Sequence, residues 1–81
     1  MAHKVWIIGE SAGKHVIELE HGFWSGNRVI KVDGQEIHRS KKLWDTGTEH
    51  RFKVASQDCI VRIRNSPFSF QYELFVDGKL V

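Results

Sequence analysis

Five histidines and one cysteine are the residues of this sequence most suited to holding a metal ion or attacking a substrate. The histidines are scattered along the chain at His3, His15, His21, His38 and His50. None of them belongs to a tight HxxxH or CxxC pair, and a single cysteine cannot anchor a structural zinc site. The spacing therefore predicts no metal site and no cofactor.

Cys59, His50 and Asp58 are the residues from which a nucleophile, a base and an orienting group could be assembled. Cys59 alternates in step with Val61 and Ile63, however, which is typical of a strand face directed into a core. A thiol in that position acts as a small hydrophobic side chain, and its pKa is raised. No catalytic residue is predicted, and we do not expect an enzyme.

The basic segment 38–44, with the sequence HRSKKLW, is the best candidate for nucleic-acid contact. Its contact residues would be Arg39, Lys41, Lys42 and Trp44, with cations on the phosphates and a base stacked on the indole. The net charge of +2 is too small to indicate such a partner by itself. Lysines on an exposed strand also protect it from pairing with other strands, so both interpretations stay open.

The loop 21–26, with the sequence HGFWSG, is unusually aromatic. Phe23 and Trp24 are adjacent and flanked by glycines, so they cannot both point into a core in the usual way. One alternative is that at least one of them is exposed and anchors a protein partner or a second copy of the chain. The other is that the tip folds back and covers an open end of the core. His21 is predicted to be structural, fixing the shape of the loop through its imidazole.

The segment 68–76 has the clearest alternation of apolar and polar residues in the sequence. It indicates that β-strands are the elements that position the candidate residues named above. One face carries Phe68, Phe70, Tyr72, Leu74 and Val76, and the other carries Ser69, Gln71 and Glu73. Asp77-Gly78 then provides the two residues that most readily adopt the positive φ of a type I′ turn. This segment is predicted to form a hairpin with the last three residues.

Turn signals recur every 8 to 12 residues, and no stretch has a sustained helical period of apolar residues. This pattern predicts an all-β sandwich or barrel of about eight short strands joined by hairpins. The motif Val-Asp-Gly occurs at 32–34 and again at 76–78, which suggests two four-stranded halves. With 81 residues, the chain is predicted to be a single domain over 1–81.

The longest apolar run is 5–8, far shorter than a segment that could span a bilayer. The lone cysteine fits a reducing compartment. We expect a cytoplasmic protein that does not enter a membrane and has no small-molecule substrate.

The ordered motifs of the chain resemble the Fas apoptotic inhibitory molecule family. The segments that carry the resemblance are HVIELEHG at 15–22, SGNRVIKVDG at 25–34, WDTGTEHRF at 44–52, DCIVRI at 58–63, FQYEL at 70–74 and VDG at 76–78. Together they extend over roughly residues 5 to 81.

This resemblance implies a compact antiparallel β-sandwich in the cytosol that acts through protein contact rather than catalysis. Animal members of the family carry two such domains and are associated with protection from death-receptor apoptosis and with suppression of protein aggregation. This chain is predicted to have one domain, and it carries Phe23 and Trp24 where relatives have small polar residues.

Overall fold

The computed structural model describes residues 2–9, 13–22, 25–41, 47–66 and 69–81. These residues form eight strands and no helix, and all the strand pairs are antiparallel. The all-β class, the strand number and the hairpin connections predicted above are confirmed. Nothing in these ranges forms a helix long and apolar enough to cross a lipid bilayer.

The chain divides into two compact units, residues 1–44 and 45–81, and each contains one four-stranded sheet. The first sheet runs in the order β1 (Ala2–Ile8), β2 (His15–His21), β3 (Asn27–Val32), β4 (Gln35–Lys41). The second runs in the order β5 (Gly47–Val54), β6 (Gln57–Ser66), β7 (Ser69–Val76), β8 (Lys79–Leu80). The two halves inferred from the repeated Val-Asp-Gly motif are therefore present.

The two Asp-Gly turns are of the predicted type. Asp33 and Gly34 have φ values of 52° and 82°, and Asp77 and Gly78 have values of 49° and 82°. Positive φ at both central residues defines a type I′ turn, whose twist matches that of the strands it joins. Each turn leads directly from the third strand of its unit into the fourth.

Alternation divides the side chains of each sheet between a buried face and an outer face. In the first unit Ile17, Leu19 and Ile30 are at most 1% exposed. In the second unit Val61, Ile63 and Leu74 are equally buried. These six apolar side chains occupy central strands, where burying each is worth about 1.5 to 3 kcal/mol.

The strand β7 follows its predicted alternation, but the residues of its apolar face are buried to different extents. Leu74 is completely buried, whereas Phe70, Tyr72 and Val76 are half-buried. On its other face Glu73 lies 3.6 Å from the Arg62 guanidinium, and the Phe75 ring centre lies 4.7 Å from the carbon of that same guanidinium. Phe68, the first residue of the predicted alternation, lies outside the described residues.

Candidate functional site

The aromatic loop joins the end of β2 to the start of β3, and the backbone on both sides of its tip is hydrogen-bonded. The Gly22 amide donates to the Asn27 carbonyl at 3.0 Å, which continues the ladder between the two strands. The Gly26 amide donates to the Gly22 carbonyl at 2.8 Å. These two bonds close the loop and fix the points at which the chain enters and leaves it.

Gly22 is buried and tightly packed against the far side of the same loop. A Cβ atom placed on Gly22 would come within 2.5 Å of the Ser25 Oγ. That hydroxyl oxygen accepts a hydrogen bond from the Asn27 amide at 3.3 Å. A side chain at Gly22 would therefore displace the Ser25 hydroxyl, which helps to hold the start of β3 in place.

His21 and Arg28 lie directly opposite each other at the base of the loop. Both are almost inaccessible to water, at 0% and 1% exposure, which is unusual for a histidine and rare for an arginine. One guanidinium nitrogen of Arg28, Nη1, lies 3.5 Å from the Gly26 carbonyl oxygen. His21 and Arg28 thus form a buried polar layer at the base of the loop.

The burial of His21 agrees with the structural role predicted for it, but the burial of Arg28 was not anticipated. The signal for it is in the sequence. Arg28 is two residues before Ile30 on the same strand, so alternation places its side chain on the buried face with that isoleucine. Charge alone gives the opposite expectation, because an arginine is seldom fully buried.

The two residues predicted as the protein contact, Phe23 and Trp24, lie outside the described residues.

The basic segment proposed for nucleic-acid contact is only partly described. Arg39 is exposed and makes a two-pronged ion pair with Glu36, with nitrogen–oxygen distances of 2.7 and 3.0 Å. The hydrogen bond that Arg39 donates to Glu36 raises the pKa of Arg39. Lys41 is exposed at the end of β4, and Lys42 and Trp44 lie outside the described residues. Among the residues of this segment that the structure describes, none favours a nucleic-acid site, since the guanidinium of Arg39 is already held by a carboxylate.

Cys59 has the surroundings expected of a core residue. It is 1% exposed, and its pKa is raised, first by burial and then by the negative charges of Asp77 and Asp58. Phe52 is its opposite neighbour on β5, whereas His50 is opposite Val61. A high-pKa thiol without a histidine opposite it is poorly placed to act as a nucleophile.

Three other histidines, His3, His15 and His50, bond to carboxylates or hydroxyls within the sheets. His3 Nε2 lies 3.1 Å from a Glu18 oxygen, and His15 Nδ1 lies 2.7 Å from an Asp33 oxygen. In the described ranges, no three histidine, cysteine, aspartate or glutamate side chains form a group that could hold a metal ion.

These features define a class of protein: a small all-β protein with two similar four-stranded antiparallel sheets, in which the loop between β2 and β3 is closed by backbone hydrogen bonds above a buried polar layer. Comparison with known proteins gives the family. Residues 2–81 match the model of the Fas apoptotic inhibitory molecule family. The chain belongs to that family, as its ordered motifs predicted.

Three mammalian proteins are among the relatives of this chain. Fas apoptotic inhibitory molecule 1 of Mus musculus is 37% identical over 78 residues, which cover 93% of this chain and 44% of that protein. The proteins of the same name from Homo sapiens and Bos taurus are each 36% identical over 78 residues. These matches again cover 93% of this chain, and they cover 44% and 39% of the two relatives. The chain spans about two fifths of the length of these relatives.

Proposed function

We propose that residues 1–81 form a single non-enzymatic protein-interaction domain, and that the tip of the aromatic loop, Phe23 and Trp24, makes the contact. The observation that carries the proposal is the support of this loop by its described neighbours. Two backbone hydrogen bonds close it at Gly22 and Gly26. A large aromatic side chain on a preorganised loop loses little conformational entropy on binding, and tryptophan is enriched at binding hot spots.

The chemistry of the described residues supports contact rather than catalysis. The one cysteine is buried with a raised pKa, and His3 and His15 are each paired with a carboxylate. The partner would be a protein or a second copy of the chain, with no membrane or small-molecule substrate involved.

The names of the relatives suggest the biological setting. They are called Fas apoptotic inhibitory molecule 1, and we extend to this domain a role in regulating apoptosis or in protecting other proteins from aggregation, in the cytoplasm. Because the chain covers only 39 to 44% of those relatives, this transfer is part of the proposal.

An aggregation assay with a defined client tests the proposal. Reduced α-lactalbumin is allowed to aggregate, followed by light scattering, in the presence of wild-type protein, Trp24→Ala or Leu80→Ala. Leu80 is 61% exposed and serves as the matched control for loss of an exposed apolar side chain. Wild type and Leu80→Ala should delay aggregation equally, and Trp24→Ala should not. Circular dichroism verifies that all three proteins are folded.

Two results would overturn the proposal. Equal protection by Trp24→Ala and wild type would remove the loop tip from the contact. Protection that disappears at high salt and is displaced by an oligonucleotide would instead support the basic segment, because phosphate contacts weaken steeply with ionic strength.

A further inference from the structure

The four outer strands of the two sheets differ in how their free edges are protected. A strand with unpaired backbone groups can add a strand from another molecule, and proteins prevent this with charged side chains, bulges or very short strands. Three of the four edges have such protection. The pairing of β4 with β3 has a register shift between Ile30 and Lys31, and β4 carries Arg39 and Lys41. β8 has only two residues. β5 carries Glu49, Arg51 and Lys53.

β1 is the least protected of the four edges within the described ranges. It has seven residues, pairs with β2 without interruption, and contains no acidic residue. Val5 and Ile7 on its outer face are 48% and 63% exposed, so apolar surface accompanies the free edge. Lys4 is the one lysine of this strand.

The pairing of β2 identifies which residues of β1 have backbone groups on the free edge. Gly22 donates to Asn27, and Asp33 donates to Val16, so the even-numbered residues of β2 bond to the β3 side. In an antiparallel sheet, alternate residues bond to opposite sides, so the odd-numbered residues of β2 bond to β1. Their partners in β1 are even-numbered. The N–H and C=O groups of His3, Val5 and Ile7 therefore point away from β2.

We propose that β1 is a self-association edge that pairs antiparallel with β1 of a second copy of this chain, about a two-fold axis at Val5. In this register His3, Val5 and Ile7 of one copy lie opposite Ile7, Val5 and His3 of the other. All three free-edge residues of each copy then form hydrogen-bonded pairs.

The side chains are compatible with this register. Val5 meets Val5 of the second copy, which joins the two exposed apolar patches. Lys4 lies opposite Trp6 of the second copy, and the Lys4 ammonium already lies 6.0 Å from the centre of its own Trp6 ring. No two like charges face each other directly, whereas like charges in opposite positions destabilise a strand pair. The edge is thus complementary to itself.

The dimer is weak, because pairing at one edge buries little surface. Interfaces below about 1,200 Å² in total are typical of transient complexes, so we expect a dissociation constant of about 10 to 100 µM. The proposed edge is formed by His3, Val5 and Ile7, none of which belongs to the aromatic loop. Failure of the dimer would leave the proposed contact at the loop tip intact, and the reverse also holds.

Sedimentation equilibrium of the full chain between about 5 and 500 µM covers this range and tests the proposal. Ile7→Lys should weaken the dimer at least about tenfold, because it introduces a charge on the edge. Ile37→Lys is the matched control, since Ile37 is 44% exposed on β4, the opposite edge of the same sheet. It should leave the dissociation constant within about twofold. Trp24→Ala should also retain the dimer.

Cysteine cross-linking tests the register. Hydrogen-bonded partners in an antiparallel pair have Cα atoms about 5.5 Å apart, within the range of a disulfide, so Val5→Cys should form a covalent dimer under mild oxidation. Ile7→Cys should not, because Ile7 and its copy would be four residues out of register, about 13 Å apart. The native Cys59 is buried in both variants and provides a common background.

Several outcomes would overturn the proposal. They are a chain that remains monomeric at the highest concentration, equal dimerisation of Ile7→Lys and wild type, and cross-linking at Ile7 but not at Val5. A dimer lost in Trp24→Ala and retained in Ile7→Lys would move self-association to the loop tip. A monomer that instead takes up an extended apolar peptide at β1 would assign the edge to a different partner.

Discussion

Asp33 and Val16 exchange two hydrogen bonds across the first sheet. The Val16 amide donates to one carboxylate oxygen of Asp33 at 2.8 Å, and the Asp33 amide donates to the Val16 carbonyl at the same distance. The second unit repeats this arrangement. The Asp58 amide donates to the Asp77 carboxylate at 2.9 Å, and the Asp77 amide donates to the Asp58 carbonyl at 2.7 Å.

The repeated Val-Asp-Gly motif thus has a physical explanation. Its aspartate occupies the left-handed first position of a type I′ turn and also bonds to the beginning of the second strand of its unit. One residue type satisfies both requirements, because aspartate tolerates positive φ and its short carboxylate reaches a neighbouring amide. The motif ties three strands together, and its carboxylate is structural.

The first prediction concerns the ionisation of Asp33. The pKa of Asp33 is held below its ordinary value of 3.8, chiefly by a hydrogen bond from His15 and then by the Val16 amide. A titration of the Asp33 carboxyl carbon by NMR should give a midpoint below 3.8, and His15→Ala should raise that midpoint toward 3.8. Equal midpoints in the two proteins would contradict this assignment of cause.

The same pKa shift predicts how stability depends on pH. A carboxyl group with a lowered native pKa stabilises the fold above its unfolded pKa, and this contribution is lost as pH falls through the native value. Asp33→Asn retains an acceptor for Val16 but removes the charge. The urea midpoint of Asp33→Asn should be lower than that of wild type at pH 7, and the difference should shrink below about pH 4. A deficit that does not change with pH would show that the charge is not responsible.

The second prediction concerns Gly22. Replacing it with alanine forces the Ser25 hydroxyl to rotate away and lose its bond to Asn27, at a cost of about 1 kcal/mol. In a Ser25→Ala background the same replacement should cost less than half as much, because the obstructing oxygen is absent. Urea unfolding of the four proteins measures this coupling. Additive effects would show that the two residues do not interact.

The third prediction concerns the buried Arg28. Arg28→Ala removes a large side chain from a site that is 1% exposed, and the free energy of unfolding should fall by about 3 kcal/mol. Arg28→Met should cost less, because it fills most of the same volume. Arg51, whose side chain is 77% exposed, provides the control, and Arg51→Ala should stay within about 0.5 kcal/mol of wild type. A similar small effect at Arg28 would contradict its place in the buried layer.

The fourth prediction concerns the turn between β5 and β6. Ala55 has a φ of 55°, a left-handed conformation that costs an L-residue roughly 1 kcal/mol. Ala55→Gly should therefore stabilise the domain by about 0.5 kcal/mol, the remainder being lost to the greater freedom of glycine in the unfolded chain. Ser56→Gly, at the neighbouring position, should give no such gain. Thermal unfolding of the two variants distinguishes these results.

The sequence predicted the fold well, because the local and global signals agree. The alternation of β7 and the two Asp-Gly turns each specify one conformation, and the structure contains both. The family assignment came from the order of the motifs, which no single motif could have given. Composition alone could not have separated this chain from other small all-β domains.

The parts that the sequence did not predict depend on neighbours in space. Alternation places Arg28 on the buried face, but its charge gave the opposite expectation until its place opposite the buried His21 was known. Val29, on the outer face of the same strand, is only 4% exposed. The weakly protected edge of β1 could not be recognised until the strand order had placed it at the edge of a sheet. Strand order is a property of the whole unit, whereas residue spacing is local.

Thermal unfolding of Trp24→Ala beside wild type tests the central claim most directly, because it requires no knowledge of the partner. If Trp24 is a contact residue, removing it leaves the native packing intact, and the melting temperature should change by no more than about 3 °C. A fall of about 10 °C or more would correspond to the loss of a core side chain, and it would contradict the assignment of the loop tip as an interaction site.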